Sequence, residues 1–306
     1  MLKQPSIFNL LICALRKSFG RECKSKGVLY PRFVGPYKLI FKVKKINNIN
    51  NYGIGTYKDM EGKKVFIKTW QRKIKNFPYY SLINEYNMAK LLSEKIKNVK
   101  EGKFRVPSPV GYVKTDNSLS VIFEYIDGKP LSKFSRNEQS RVINGVILFL
   151  DRLTPTINKN DKKYIKKRGI FFYLFSLPVI FLYSFLLEKE SKKTIFRSFL
   201  RTVFYSITLF NKRLALAHGD LSPENVLVTD SHFYILDTED MKYTLVEYDL
   251  NHLSIVKSRL NLYLSILKKR RDFTRDNFLC LYISLQFSIF RDSRTMQRPY
   301  FDYLKN

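Results

Sequence analysis

Acidic residues are scarce in this chain. Among 306 residues there are 26 Asp and Glu against 55 Lys and Arg, a formal net charge of +29. So large an excess attracts phosphate-rich partners: nucleic acid, an anionic membrane surface or a phosphorylated substrate. Codon bias toward Lys, Ile and Asn would not by itself suppress acids. Cysteine is also scarce. Cys13, Cys23 and Cys280 are odd in number and widely spaced. They form neither a disulfide framework nor a metal-ligand pattern, which favours a reducing compartment. The chain has no internal repeat and no low-complexity linker. Its apolar first segment lacks a small-residue cleavage site, which argues against a cleaved signal peptide. With 45% hydrophobic residues the chain is not a disordered polymer, and 306 residues suit one large domain or two lobes.

Residues 1–36 form an N-terminal segment in which Ile7, Leu10, Leu11, Ala14 and Leu15 recur at helical spacing, followed by a basic tail. That pattern fits an amphipathic helix on a membrane surface, and equally a helix packed on the domain. Between 37 and 70 the runs "YKLIFKVKKI", "GIGTYKD" and "KKVFIKTW" alternate like strands. A helix follows over 78–97, with Leu82, Tyr86, Ala89 and Leu92 on one side. Two more strands, "VGYVKT" and "LSVIFEYI", flank the turn "DNS". From Gly128 onward the pattern is mainly helical. The expectation is an α+β chain of two lobes, residues 37–126 and 127–306, with a cleft between them.

One stretch of the second half breaks the helical pattern. In "ALAHGDLSPENVLVTDSHFYILDTED" (215–240) the apolar runs Val226 to Val228 and Phe233 to Leu236 flank the turn-like "TDSH". This reads as a β-hairpin whose outer loops carry Asp220 and Asn225 on one side and Asp237 on the other. Three oxygen-bearing side chains would then converge at one end of a small sheet.

The segment resembles the catalytic segment of the protein-kinase-like phosphotransferases, in which H-x-D-x-x-x-x-N leads to a metal-binding Asp. It is closer to the small-molecule branch, the aminoglycoside, choline and lipopolysaccharide core sugar kinases. There the loop reads H-G-D, and the later Asp lacks the F-G of protein kinases; here it stands in "LDTED". The resemblance implies Asp220 as the base that orients and deprotonates the attacking hydroxyl, with Asn225 and Asp237 as oxygen ligands of Mg²⁺. It makes His218 a structural residue that braces the loop. Asp249, in "YDLNHL", falls where the branch often has an Asp-Leu; a brace for the catalytic loop and a helix N-terminal cap are both open to it.

The first half supplies the remaining parts in order. Lys68 ends the strand "VFIKTW", where the family's lysine meets the α- and β-phosphates of ATP, and Glu85 lies on the next helix as its partner. Gly53 and Gly55 would sit in the turn between the first two strands and cover the phosphates, although the full G-x-G-x-x-G is missing. "VIFEYIDGKPL" resembles the strand that joins the lobes, where Glu124 and Ile126 offer backbone groups to adenine. Taken singly, each of these residues has an ordinary structural reading. The likeness covers residues 37–255.

The run from Gly169 to Leu187 has no charged residue and is long enough to span a bilayer. A single pass would place Lys68 and Asp220 on opposite sides, which one active site forbids. Residues 155–190 are therefore expected to be an apolar insertion in the second lobe, kinked at Pro178; a contact with a membrane beside "KKYIKKR" is the preferred reading, and plain burial in the lobe the other. "TIFRSFLRTVFYSITLF" (194–210) reads as a buried helix that runs into the catalytic loop. The resulting expectation is a cytoplasmic kinase, peripheral at the inner face of the membrane, using ATP and Mg²⁺ on a sugar hydroxyl of a lipid-linked glycan. Its alternatives are an aminoglycoside- or choline-type kinase, a protein kinase, or an inactive kinase-fold scaffold. The charge favours an anionic acceptor, and nucleic acid is not the expected partner. No A-P-E segment follows Asp237, which argues against a protein kinase.

Overall fold

The computed structural model describes residues 2, 30–43, 53–72, 77–97, 102–169, 214–255 and 259–269, together with isolated positions between 171 and 207. In chain order the strands β1 (Phe33–Val34), β2 (Tyr37–Lys42), β3 (Gly53–Lys58) and β4 (Lys64–Gln71) lead into helix α1 (Phe77–Ile96). Then come β5 (Phe104–Arg105), β6 (Pro109–Lys114), β7 (Ser118–Glu124), β8 (Lys129–Pro130) and helix α2 (Arg136–Leu153). Short strands β9 (Lys166–Arg168), β10 (Leu214–Ala217), β11 (Val226–Val228), β12 (Phe233–Ile235) and β13 (Lys242–Leu245) precede helices α3 (Tyr248–Ile255) and α4 (Leu260–Lys269). Contacts divide the chain into two compact units, 1–129 with 226–240, and 130–225 with 241–306.

The first unit is built on a six-stranded antiparallel sheet in the order β1-β2-β3-β4-β7-β6. Strand periodicity splits β4 between two cores. Val65 and Ile67 join Val34, Tyr57 and Ile122 on one face. Trp70 points to the other, with Ile54, Leu119, Val121 and the α1 residues Leu82, Ile83 and Tyr86. Each such side chain, fully buried, contributes about 1.5–3 kcal/mol. Lys68 shares the Trp70 face by the same alternation, so its stem emerges toward α1 rather than into solvent.

The hairpin β11–β12 belongs to this unit and not to the second. Strand β12 runs parallel to β5, with Phe233 opposite Phe104 and Tyr234 opposite Arg105, in a sheet ordered β5-β12-β11-β8. The Phe104 and Phe233 rings lie 5.6 Å apart. The sequence pattern places residues 226–240 in the second lobe, because pairing over so long a separation leaves no local trace.

In the second unit α2 starts at a serine N-cap: Ser135 Oγ accepts the Glu138 N–H at 3.3 Å and donates to Glu138 Oε2 at 3.0 Å. The helix buries Val142, Ile143, Val146, Phe149, Leu150 and Leu153. Beside it stands a three-stranded sheet in the order β10-β13-β9, which the mainly helical expectation for this half omits. Its strands have only three or four residues, too short for a periodicity signal.

The positions described within 194–210 correct a second expectation. They are helical, but Phe196, Leu200, Phe204 and Ile207 are exposed rather than buried. An apolar stripe at helical spacing looks the same whether it faces a core or an interface. Among the described residues no helix is long and apolar enough to cross a membrane. Most of the run 169–187 and most of the N-terminal segment lie outside the described residues.

Candidate active site

In the first unit the candidate residues gather around Lys68. Its ammonium donates to Glu85 Oε1 at 2.6 Å and also to Asp237 Oδ1. Glu85 lies on α1 and Asp237 just past β12, so three separated segments meet at one cation. Burial alone would weaken the lysine's hold on its proton. Asp237, Glu85 and Glu239 more than reverse that, and the group is held above the ordinary lysine range. Asp237 adopts a positive φ of 53°, a left-handed conformation that aspartate tolerates better than most residues. The turn after it is pinned to α1. Asn84 Nδ2 donates to the Glu239 carbonyl at 2.6 Å, and Thr238 Oγ1 donates to the Glu85 carbonyl at 3.3 Å.

Glu239 is a member of this cluster that the motif reading passes over. Loss of solvent raises its carboxyl to about 8; Lys68 opposes the shift, while Glu85, Asp237 and Asp240 add to it. The run "LDTED" is visibly acid-rich, yet only the fold tells which of its acids come close enough to the lysine to interact with its charge.

Gly53 and Gly55 lie within β3, opposite Thr69 and Ile67 of β4, and not in the turn before it. A Cβ on Gly55 would stand 2.8 Å from Leu39 Cδ1 and 3.0 Å from the Phe41 carbonyl oxygen. Close strand packing thus accounts for Gly55, and the turn at 44–52 lies outside the described residues. Glu124 ends β7, where its N–H donates to the Ser108 carbonyl at 3.0 Å and its Oε1 accepts the Ser108 N–H at 2.8 Å. Ile126 follows beyond the end of β7 and is half-buried.

In the second unit the "HGD" loop is held from below. Asp249 Oδ2 accepts the His218 N–H and Oδ1 the Gly219 N–H, both at 2.7 Å. Gly219 has φ +90°, which explains glycine between the histidine and the aspartate. His218 is fully buried, and its Nδ1 accepts the Asp220 N–H at 3.3 Å. Asn225 Nδ2 donates to the Asp220 carbonyl at 2.9 Å, which commits the amide nitrogen and leaves the oxygen as the ligand-type atom. Next to it, Glu224 accepts a hydrogen bond from Arg259 at 3.1 Å.

No protein-family model matches the chain, and no curated protein matches it in sequence. Solved structures do match in fold. A type I macrolide 2'-phosphotransferase aligns with TM-score 0.56 at 13% identity, over 99% of this chain and 98% of its own. A macrolide 2'-phosphotransferase from Brachybacterium faecium gives 0.55 at 12%, over 95% and 99%. A thermostable mutant of an aminoglycoside phosphotransferase, in ternary complex with AMP-PNP and hygromycin B, gives 0.57 at 9%, over 95% and 94%. The fold is that of the kinase-like antibiotic phosphotransferases. The alignments run over nearly the whole of this chain and of the matched chains.

Proposed function

We propose that the protein is an ATP-dependent phosphotransferase acting on a hydroxyl group. The observation that carries the reading is the Lys68 ammonium held between Glu85 and Asp237 in a phosphotransferase fold. A lysine fixed in this way is a positioned cation for the α- and β-phosphates, at no further cost of ordering its side chain. Glu124 and Ile126 would offer backbone groups to adenine.

The donor set suits Mg²⁺. Asp237 and Asn225 would each offer a hard oxygen, and Mg²⁺ takes one or two protein oxygens with phosphate and water completing its shell. One lysine facing several carboxylates also leaves negative charge that a divalent cation would offset. Once bound, the ion would neutralise charge on the phosphates. Asp220 would accept the proton of the acceptor hydroxyl as the new O–P bond forms and the bond from the γ-phosphorus to the bridging oxygen breaks, ADP leaving with the electron pair. Asp249 and His218 would hold the loop carrying Asp220 still while this happens.

For the acceptor we favour a sugar on an anionic, lipid-linked glycan such as a lipopolysaccharide core intermediate, at the inner face of the cell membrane. The charge of +29 supports an anionic acceptor over a cationic one. Thermal unfolding with and without Mg·ATP, for wild type and Asp237→Ala, tests the nucleotide site. Saturating ligand at a hundredfold excess over its dissociation constant adds about 2.7 kcal/mol. A Mg²⁺-dependent shift in wild type that disappears in the variant supports the reading; no shift at saturating nucleotide removes it. Extracted glycolipids, aminoglycosides and choline would then be compared as acceptors.

A further inference from the structure

The exposed helical stripe in the second unit is not used by the proposed chemistry. Phe196, Leu200, Phe204 and Ile207 recur at intervals of four, four and three, the spacing of one helix face. They are 48%, 50%, 64% and 59% exposed, which is the reverse of what such residues do in a core. Arg197 and Arg201 stand one position on from Phe196 and Leu200 and are exposed as well. The same unit exposes Phe171 and Phe172, and the Arg168 guanidinium lies 5.1 Å from the Phe172 ring centre. Arg168 closes the basic run "KKYIKKR" (162–168).

We propose that the exposed helical positions between 196 and 207 dock on an anionic lipid bilayer, with Phe196, Leu200, Phe204 and Ile207 among the acyl chains. Large apolar side chains set beside cations, on a chain strongly positive overall, match a surface that is apolar within and negative outside. A core-facing helix would bury its apolar stripe, whatever charges flank it, and this one is exposed. A soluble protein partner would need no net positive charge around the contact. The proposal is independent of catalysis, although it would bring a lipid-linked acceptor to the enzyme if the reading above holds.

The test is co-sedimentation of the full chain with vesicles of phosphatidylcholine alone or with phosphatidylglycerol added. Three proteins are compared: wild type, the triple variant Leu200→Gln/Phe204→Gln/Ile207→Gln, and the pair Arg197→Gln/Arg201→Gln. All altered side chains are exposed, so each variant should keep the wild-type melting temperature and any Mg·ATP shift. Wild type should bind the anionic vesicles and release at high salt. The triple variant should lose about a hundredfold in partitioning, and the arginine pair about thirtyfold. Three results overturn the proposal: wild type ignoring anionic vesicles, the triple variant binding like wild type, or sedimentation velocity showing a wild-type oligomer that the triple variant abolishes. The last result would assign the stripe to a second copy of the chain. Loss of nucleotide response with vesicle binding intact would overturn the kinase reading alone.

Discussion

The side chain of Asn87 grips the backbone of Leu2, 85 positions away. Its Oδ1 accepts the Leu2 N–H and its Nδ2 donates to the Leu2 carbonyl, both at 2.8 Å, in the manner of a strand pairing. Asn87 is fully buried, and the Leu2 side chain enters the core formed by α1 and the large sheet. Asn87 lies on the helix that also carries Glu85, two residues before it. Asn87→Leu should destabilise the protein by about 1–3 kcal/mol, because two backbone groups of a buried residue lose their partner. Urea unfolding of this variant, and of a chain lacking residues 1–5, should give overlapping losses, since both remove the same contact.

Lys68→Met should be among the most harmful substitutions in the first unit. It leaves the Glu85 and Asp237 carboxylates facing each other without their cation, at a cost of about 3–5 kcal/mol. Nucleotide-dependent stabilisation should vanish with it. A mutant that melts like wild type would show that the ion pairs are not formed in solution.

Stability should respond to pH through Glu239. Its carboxyl is raised from 4.5 to about 8, mainly by loss of solvent, so the folded state keeps a proton that the unfolded chain releases. The contribution is fully present below about pH 4.5 and is lost as pH rises toward 8. Glu239→Gln carries no titrating group there. The stability difference between variant and wild type should therefore grow in the variant's favour from pH 5 to 8, as read by chemical denaturation at each pH. A difference that stays flat would mean that Glu239 is solvated.

Asp249→Ala removes the acceptor of two backbone N–H groups in a buried loop. Hydrogen bonds to a charged group contribute about 1.5–3 kcal/mol each, so the loss should be a few kcal/mol. If Asp220 acts as proposed, turnover should fall further than nucleotide affinity. Paired measurements of kcat and of the ATP dissociation constant separate those effects.

Gly55→Ala should destabilise by about 1–3 kcal/mol through overpacking, since the added methyl meets Leu39, the Phe41 carbonyl and Tyr57 at 2.8–3.0 Å. A substitution tolerated without loss would mean that β2 can move away from β3, and the melting curve would show it directly.

What the sequence alone determines here is local. Alternation along 37–71 and 109–124 marks the strands of the large sheet, and the 3.6-residue period marks α1, because side-chain direction follows from backbone geometry residue by residue. The "HGD" loop is legible for the same reason: glycine at 219 and the spacing from Asp220 to Asn225 are constraints within one turn. Tertiary structure alone decides the rest. It puts the 226–240 hairpin on β5, places Gly55 against Leu39, buries Glu239 within range of the Lys68 charge and seats Leu2 on Asn87. It also turns the stripe at 196–207 outward. These depend on segments that meet only after the chain has closed on itself, over a separation of 16 residues for Gly55 and Leu39 and far more for the rest, and a one-dimensional pattern carries neither the partner of a polar group nor the side from which water has been removed.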